Sequence, residues 1–168
     1  MSKPKFNSFQ DLFLHELKDL YSVESQLIEA LPKMAEAATD PQLKHAFESH
    51  LEETKGQKER LEKVSSILDE SLKGEDCDAM KGLIKEGKEA IKAKGDDDLR
   101  DAALIASAQR VEHYEIAAYG TATRFAKLVG QTEIAGLLAS TLEEEKEADS
   151  KLNEIATASV NRKAGTVH

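Results

Sequence analysis

Apolar positions along the chain recur in steps of three and four, and they divide it into four long stretches. In the first, Phe13, Leu17, Leu20, Leu27, Leu31 and Met34 share one face, the spacing of a helix that packs one side against a core. Ser8 followed by Asp11 has the form of a capping box, so this helix is expected over about 8–39. Pro32 falls inside the stripe. Its missing N–H and fixed φ predict a kink or a local break in the last turns. Asp40-Pro41 then restarts the chain with an N-cap acceptor and a proline at the first helical position. The second helix, about 41–70, carries Leu43, Ala46 or Phe47, His50, Glu53, Gln57, Leu61, Val64 and Leu68. So short a break places it antiparallel to the first.

The third stretch, about 98–129, opens in an aspartate run that complements the positive helix N-terminus. Its stripe reads Ile105, Ala108, Glu112, Glu115, Tyr119, Ala122 and Ala126, and Gly130 suits the left-handed position beyond its end. The fourth, about 132–161, carries Ile134, Leu138, Leu142, Glu145, Asp149, Leu152 and Ala156. Between the two pairs, residues 71–97 form a crossover. A short helix over about 78–93, using Met80, Leu83, Ile84 and Ile91, is expected within it. Two helical hairpins joined by one long connection make an all-α, ferritin-like four-helix bundle, and residues 1–168 read as a single domain.

Each stripe is interrupted near its middle by acid: Glu24 in the first helix, Glu53 in the second, Glu112 and Glu115 in the third, Glu145 and Asp149 in the fourth. At about 1.5 Å rise per residue, antiparallel pairing brings these positions to a common level. Any one glutamate among 32 acidic residues is most simply a solvated surface group. Six on inward faces are harder to explain that way. Two carboxylates about 4 Å apart repel by about 4 kcal/mol at an effective dielectric near 20, and the stripes offer almost no lysine or arginine at that level. Cations resolve the conflict. Oxygen-rich donors with one imidazole, His50, suit iron or manganese better than copper or a thiolate zinc site. Six carboxylates balance two trivalent ions, so the expectation is a site for two iron ions (manganese is the alternative) that favours the ferric state.

Composition narrows the class further. Charged residues make up 33% of the chain and tryptophan is absent, which fits a helical protein better than a sheet protein. The formal net charge of -9 argues against nucleic acid as a partner. Cys77 is the single cysteine, so an intrachain disulfide is excluded. Neither a signal-peptide stretch nor a membrane-length apolar run is present in the sequence, and a cytoplasmic location is the expectation.

The segments LFLHELKDLYSVESQL (12–27), FESHLEETKGQKERL (47–61), DAALIASAQRVEHYEIAAYGT (101–121) and LEEEKEADSKL (142–152) strongly resemble the bacterial YciE/YciF stress-protein family, its YciF branch in particular. The likeness runs through nearly the whole chain, and HLEET and VEHYEIAAYGT are its most specific parts. It implies a ferritin-like fold related to rubrerythrins, a stress-response role and a ferroxidase label. Carried over residue by residue, rubrerythrin-like ligation assigns Glu24, Glu53, Glu112, Glu115 and Glu145 to the carboxylate roles. Glu53 and either Glu112 or Glu115 would bridge the metals, and Glu24 and Glu145 would be terminal or bridging. The chain departs from that pattern at three places: Gly56 stands where a histidine would be, Asp149 replaces another, and Ala148 replaces a glutamate. His50 lies one turn before Glu53 and Gln57 one turn after it, so either could complete the set. Tyr119 is placed to hydrogen-bond a ligand carboxylate or simply to pack. His113 falls one position off the stripe, and Glu143 and Glu144 flank it as solvated groups.

The function expected from these readings is a di-iron protein that oxidises Fe(II) or reduces oxygen or peroxide. The alternative is a non-catalytic metal-sequestering or structural stress protein. A homodimer is expected from an outer strip of Phe9, Leu12 and Leu14 on the first helix.

Overall fold

A computed structural model describes residues 5–167. Five long helices dominate: α1 (Phe9–Ala37), α2 (Pro41–Leu68), α3 (Asp78–Ile91), α4 (Asp97–Leu128) and α5 (Thr132–Ile155). A π-helical turn (Ala156–Val160) and a last short helix, α6 (Asn161–Ala164), follow. α1 packs along α2 and α4 along α5. The two hairpins close on each other through α2 against α5 and α1 against α4, while the crossover helix α3 lies against α4 and α1. This is the all-α bundle with a long crossover that the stripes predict.

Local chemistry sets the helix ends. The Ser8 hydroxyl accepts from the Asp11 N–H at 3.0 Å while the Asp11 carboxylate accepts from the Ser8 N–H, so the capping box is complete. The Asp40 carboxylate accepts from the N–H groups of Gln42 and Leu43, with Pro41 at the first helical position. Gly130 adopts φ 79° after α4, a left-handed backbone that only glycine takes freely. A buried aspartate ties the hairpins together at this end of the bundle. The carboxylate of Asp101 on α4 accepts from the backbone N–H groups of Thr39 and Asp40 and from the Thr39 hydroxyl. These are donors that the α1–α2 turn would otherwise leave without partners.

Two expectations need correction. α1 runs as helix through Pro32, which is exposed, so of the kink or local break expected there the break does not occur. The carbonyl that proline deprives of its partner therefore faces the solvent side, where water can serve it. The fourth helix does not end plainly near residue 161: a five-residue π turn interrupts it and helix resumes to Ala164. Ser159 Oγ within that turn and Lys163 Nζ beyond it both lie 3.0 Å from the Asp40 carboxylate, anchoring the C-terminal segment to the start of α2.

The core is two apolar clusters and not one. The first gathers Val23, Leu27, Leu31, Leu43, Phe47, Met80, Leu104, Ile105, Leu152 and Ile155. The second gathers Phe13, Leu17, Leu20, Leu61, Val64, Tyr119, Ile134 and Leu138. On each of α1, α2, α4 and α5 the change from one cluster to the other falls at the acidic or histidine positions. Each buried leucine or phenylalanine contributes roughly 1.5–3 kcal/mol, so the apolar halves hold the bundle closed around a polar middle layer. Of the outer strip, the Phe9 ring meets Phe125 of α4 edge-on at 4.8 Å and Leu14 packs on the second cluster, so part of its apolar surface is used within the chain.

Candidate metal centre

The middle layer contains Glu24 from α1, His50 and Gln57 from α2, Glu112 and Glu115 from α4, and Glu145 from α5, all buried. One ligand atom each from His50, Glu112, Glu115 and Glu145 can be chosen such that all lie within 4.8 Å of one another. His50 Nε2 is 3.4 Å from a Glu112 oxygen and 3.7 Å from a Glu145 oxygen. Glu24 joins the layer from the side of the second cluster, where the Tyr119 hydroxyl donates to it. The Gln57 amide donates to Glu145 and, at 3.1 Å, to Glu144.

The site is short of hydrogen bonds. Eight buried side-chain atoms have no partner among the described residues, and seven of them belong to this layer: Glu24 Oε2, His50 Nε2, Gln57 Oε1, Glu112 Oε2, both oxygens of Glu115 and Glu145 Oε2. Native interiors pair their buried polar groups, so this many unpaired acceptors in one place fit a ligand with positive charge. Among the described residues no lysine or arginine meets them, and the imidazole of His50 is the positive group that the layer itself can supply. Arg60, one turn beyond Gln57 on α2, is spent on Glu144 at 2.9 and 3.0 Å and on Thr141. Glu144 is consequently ion-paired and only partly exposed, contrary to its expected place as a solvated flanking group; Glu143 is exposed, beside Lys146.

The proton affinities report the same frustration. Burial, then the charge on Glu145, pushes Glu24 up to about 8, although the Tyr119 hydrogen bond opposes the rise. Burial pushes Glu112 and Glu115 well above the carboxylate range; for Glu115 the neighbouring glutamates add to it, and for Glu112 His50 opposes it. Burial lowers His50, but Glu112, Glu53 and Glu145 outweigh it and raise the imidazole to about 10. Without cations, the layer must hold protons that its residues would release in water.

Two of the predicted residues stand on the rim. Glu53 is 44% exposed at its side chain and lies 3.3 Å from His50 Nδ1; that hydrogen bond holds its carboxyl below the usual range, against partial burial. The buried stripe of α2 passes through Thr54 instead, whose hydroxyl donates to the His50 carbonyl at 2.8 Å. Asp149 is 17% exposed, 3.4 Å from His113 Nε2 and 3.1 Å from the Gln109 amide. The arrangement divides the labour on α2. His50 turns Nε2 to the buried carboxylates while Glu53 holds Nδ1, the carboxylate–histidine pairing that fixes a metal-binding tautomer. Glu53→Gln is therefore expected to lower metal affinity by about 10–100-fold with the number of bound ions unchanged. A competitive titration with a chromophoric chelator checks this, and loss of an ion would make Glu53 a ligand in its own right.

The donor set could hold a metal ion, with a changed charge count. Four buried carboxylates neutralise two divalent ions, whereas the expectation of two trivalent ions counted six. Tyr119, expected either to hydrogen-bond a carboxylate or to pack, does both: its hydroxyl donates to Glu24 and its ring lies in the second apolar cluster. Gln57, one of the two residues expected to complete the set, donates its amide to Glu145 and Glu144; Arg60 had no distinct sequence signal, because its role depends on which residues of α5 face it across the bundle.

A family model described as "Domain of unknown function (DUF892)" matches residues 8–165. The chain is 49% identical over 158 residues to Protein YciF of Escherichia coli K12, covering 94% of this chain and 95% of that protein. The crystal structure of the E. coli stress protein YciF superposes with a TM-score of 0.90 at 47% identity, covering 93% of this chain and 99% of that one. YcfI from Rhodopseudomonas palustris gives 0.87 at 44% identity over 91% and 98% of the two chains. Sequence, fold and family model agree, and the chain belongs to the YciF stress-protein family defined by this domain.

Proposed function

We propose that this protein is a di-metal, most simply di-iron, stress-response protein that oxidises Fe(II) with oxygen or peroxide at the carboxylate layer. The observation that carries this reading is the set of seven unpartnered buried polar atoms contributed by four helices. A redox-active metal pair held there supplies the electrons and the Lewis acidity that reduction of oxygen or peroxide requires. Glu24, His50, Glu112, Glu115 and Glu145 would hold the pair, with Glu53 and Asp149 on the rim able to offset added positive charge.

The chain's own contributions are positional. Tyr119 fixes one oxygen of Glu24 and Gln57 fixes one of Glu145, so each carboxylate presents its other oxygen. Glu53 sets the orientation of His50, and its half-exposed carboxylate is placed to exchange protons between the imidazole and solvent. The two apolar clusters exclude water from both ends of the layer, which strengthens every electrostatic contact inside it.

Anaerobic titration with Fe(II), followed by mixing with oxygen or peroxide in a stopped-flow instrument, tests the proposal. Two irons per chain are expected, oxidised faster than free Fe(II) at the same pH. Binding without accelerated oxidation would favour the sequestering alternative, and absence of binding would leave a structural role.

A further inference from the structure

The cluster is buried, so an ion must have a way in. Two cavities touch it. One, between α1, α3 and α4, meets Glu112 through walls of Leu27, Leu31, Met34, Phe47 and Val111. It offers almost nothing that could replace the water around a cation. The other lies between α2 and α5, has a volume of about 330 Å³, and reaches both His50 and Glu112. These two are its buried polar members, 6% and 3% exposed, and each carries a polar atom without a partner, His50 Nε2 and Glu112 Oε2. Toward solvent the cavity is lined by Ser49, Glu53, Glu147 and Lys151. Glu144 also borders it but is neutralised by Arg60. At about 330 Å³ against about 40 Å³, this cavity has far more room for a hydrated cation than the apolar one.

We propose that a hydrated divalent cation enters the protein through the α2–α5 cavity, is captured by Glu147 and Glu53, and loses its water to His50 and Glu112, with Lys151 as the opposing charge that sets the rate. This rests on the metal-binding reading above and adds the route and the residues that control it. Glu147 and Lys151 sit one turn apart on the exposed side of α5. Their effect on an approaching cation is long-range and screened by salt. Ala148, half-buried between them, lines the same cavity, and a large side chain there would narrow it.

Co(II) is a suitable probe, because its visible absorption changes when protein ligands replace water. In stopped-flow mixing at low ionic strength, Glu147→Lys and Ala148→Phe are expected to slow uptake about tenfold, and Lys151→Glu to speed it several-fold. The final absorbance and equilibrium Kd should stay within about twofold of the native chain, and in 0.5 M salt the two charge variants should converge on it. Lys33→Glu, at the mouth of the apolar cavity, should leave the rate unchanged. Native rates in Glu147→Lys and Lys151→Glu, both exposed positions whose replacement spares the fold, would overturn the route while leaving the metal site standing. A faster Lys33→Glu variant would place the entrance at the other cavity. Failure of Co(II) to bind to the native chain would overturn both the route and the site.

Discussion

With glutamine in place of Glu115, the protein is expected to unfold at a higher temperature than the native chain when both are free of metal at pH 8.5, and at a lower temperature when both are saturated with Fe(II). The two outcomes have one cause. Glu115 is fully buried, both of its oxygens lack partners, and burial together with Glu145, Glu24 and Glu112 opposes its ionisation. Above neutral pH, folding must either carry a proton into the layer or bury a charge beside like charges. Glutamine removes that cost, and its amide can donate to the carboxylates that face it. A gain of about 1–3 kcal/mol is expected, or roughly 2–10 °C for a chain of this size. With metal present the same carboxylate becomes a source of stability, because whatever binds only the folded state stabilises it. At free metal about 100-fold above Kd that linkage is worth about 2.7 kcal/mol per site, and the variant forfeits it wherever Glu115 is a ligand. Paired thermal scans decide the matter. A variant less stable than the native chain in both states would mean that Glu115 serves packing and not metal.

The metal-free native chain should lose stability as pH rises from about 5 to 9. Glu24 is raised from the ordinary 4.5 to about 8, and Glu112 and Glu115 are raised as well. A carboxylate with a folded pKa above its unfolded one contributes stability that is whole below the unfolded value and disappears as pH climbs through the folded one. His50 acts in the same direction: raised from 6.5 to about 10, it keeps its proton in the folded state across that interval, and the corresponding stability is lost as pH approaches 10. The decline should reach a few kcal/mol, since each tenfold difference in proton affinity between the folded and unfolded chain is worth about 1.4 kcal/mol. Urea unfolding at pH 5, 7 and 9 measures it. Saturating metal should flatten the curve, since the ions displace those protons, and binding at pH 7 should release protons to the buffer in calorimetry. A metal-free chain that is most stable near pH 9 would contradict this account of the layer.

Much of this architecture can be read from the sequence because its local signals agree with one another. Ser8 with Asp11, Asp40 before Pro41 and Gly130 after α4 each have a chemical reason to end a helix, and each does so. The inward positions of Glu24, Glu112, Glu115 and Glu145 follow from stripes whose apolar members on either side leave little freedom. The second helix is where such reading loses its grip. From His50, a step of three reaches Glu53 and a step of four reaches Thr54, and at about 100° per residue both lie within about 60° of the inward direction. The bundle buries Thr54 and leaves Glu53 to hold the imidazole from outside. Asp149 similarly leans toward Gln109 and His113. The pairing of Arg60 with Glu144 depends on the register between α2 and α5, which neither helix encodes alone. Pro32 does not break α1 because, on an exposed face, solvent can serve the carbonyl that lacks its helical partner.

Anomalous diffraction at the iron edge, from crystals of the protein loaded anaerobically with Fe(II), tests the central claim most directly. Two peaks are expected inside the bundle, within bonding distance of Glu24, His50, Glu112, Glu115 and Glu145 and between the two apolar clusters. A layer free of anomalous signal at saturating Fe(II), its glutamates protonated and hydrogen-bonded to one another, would contradict it.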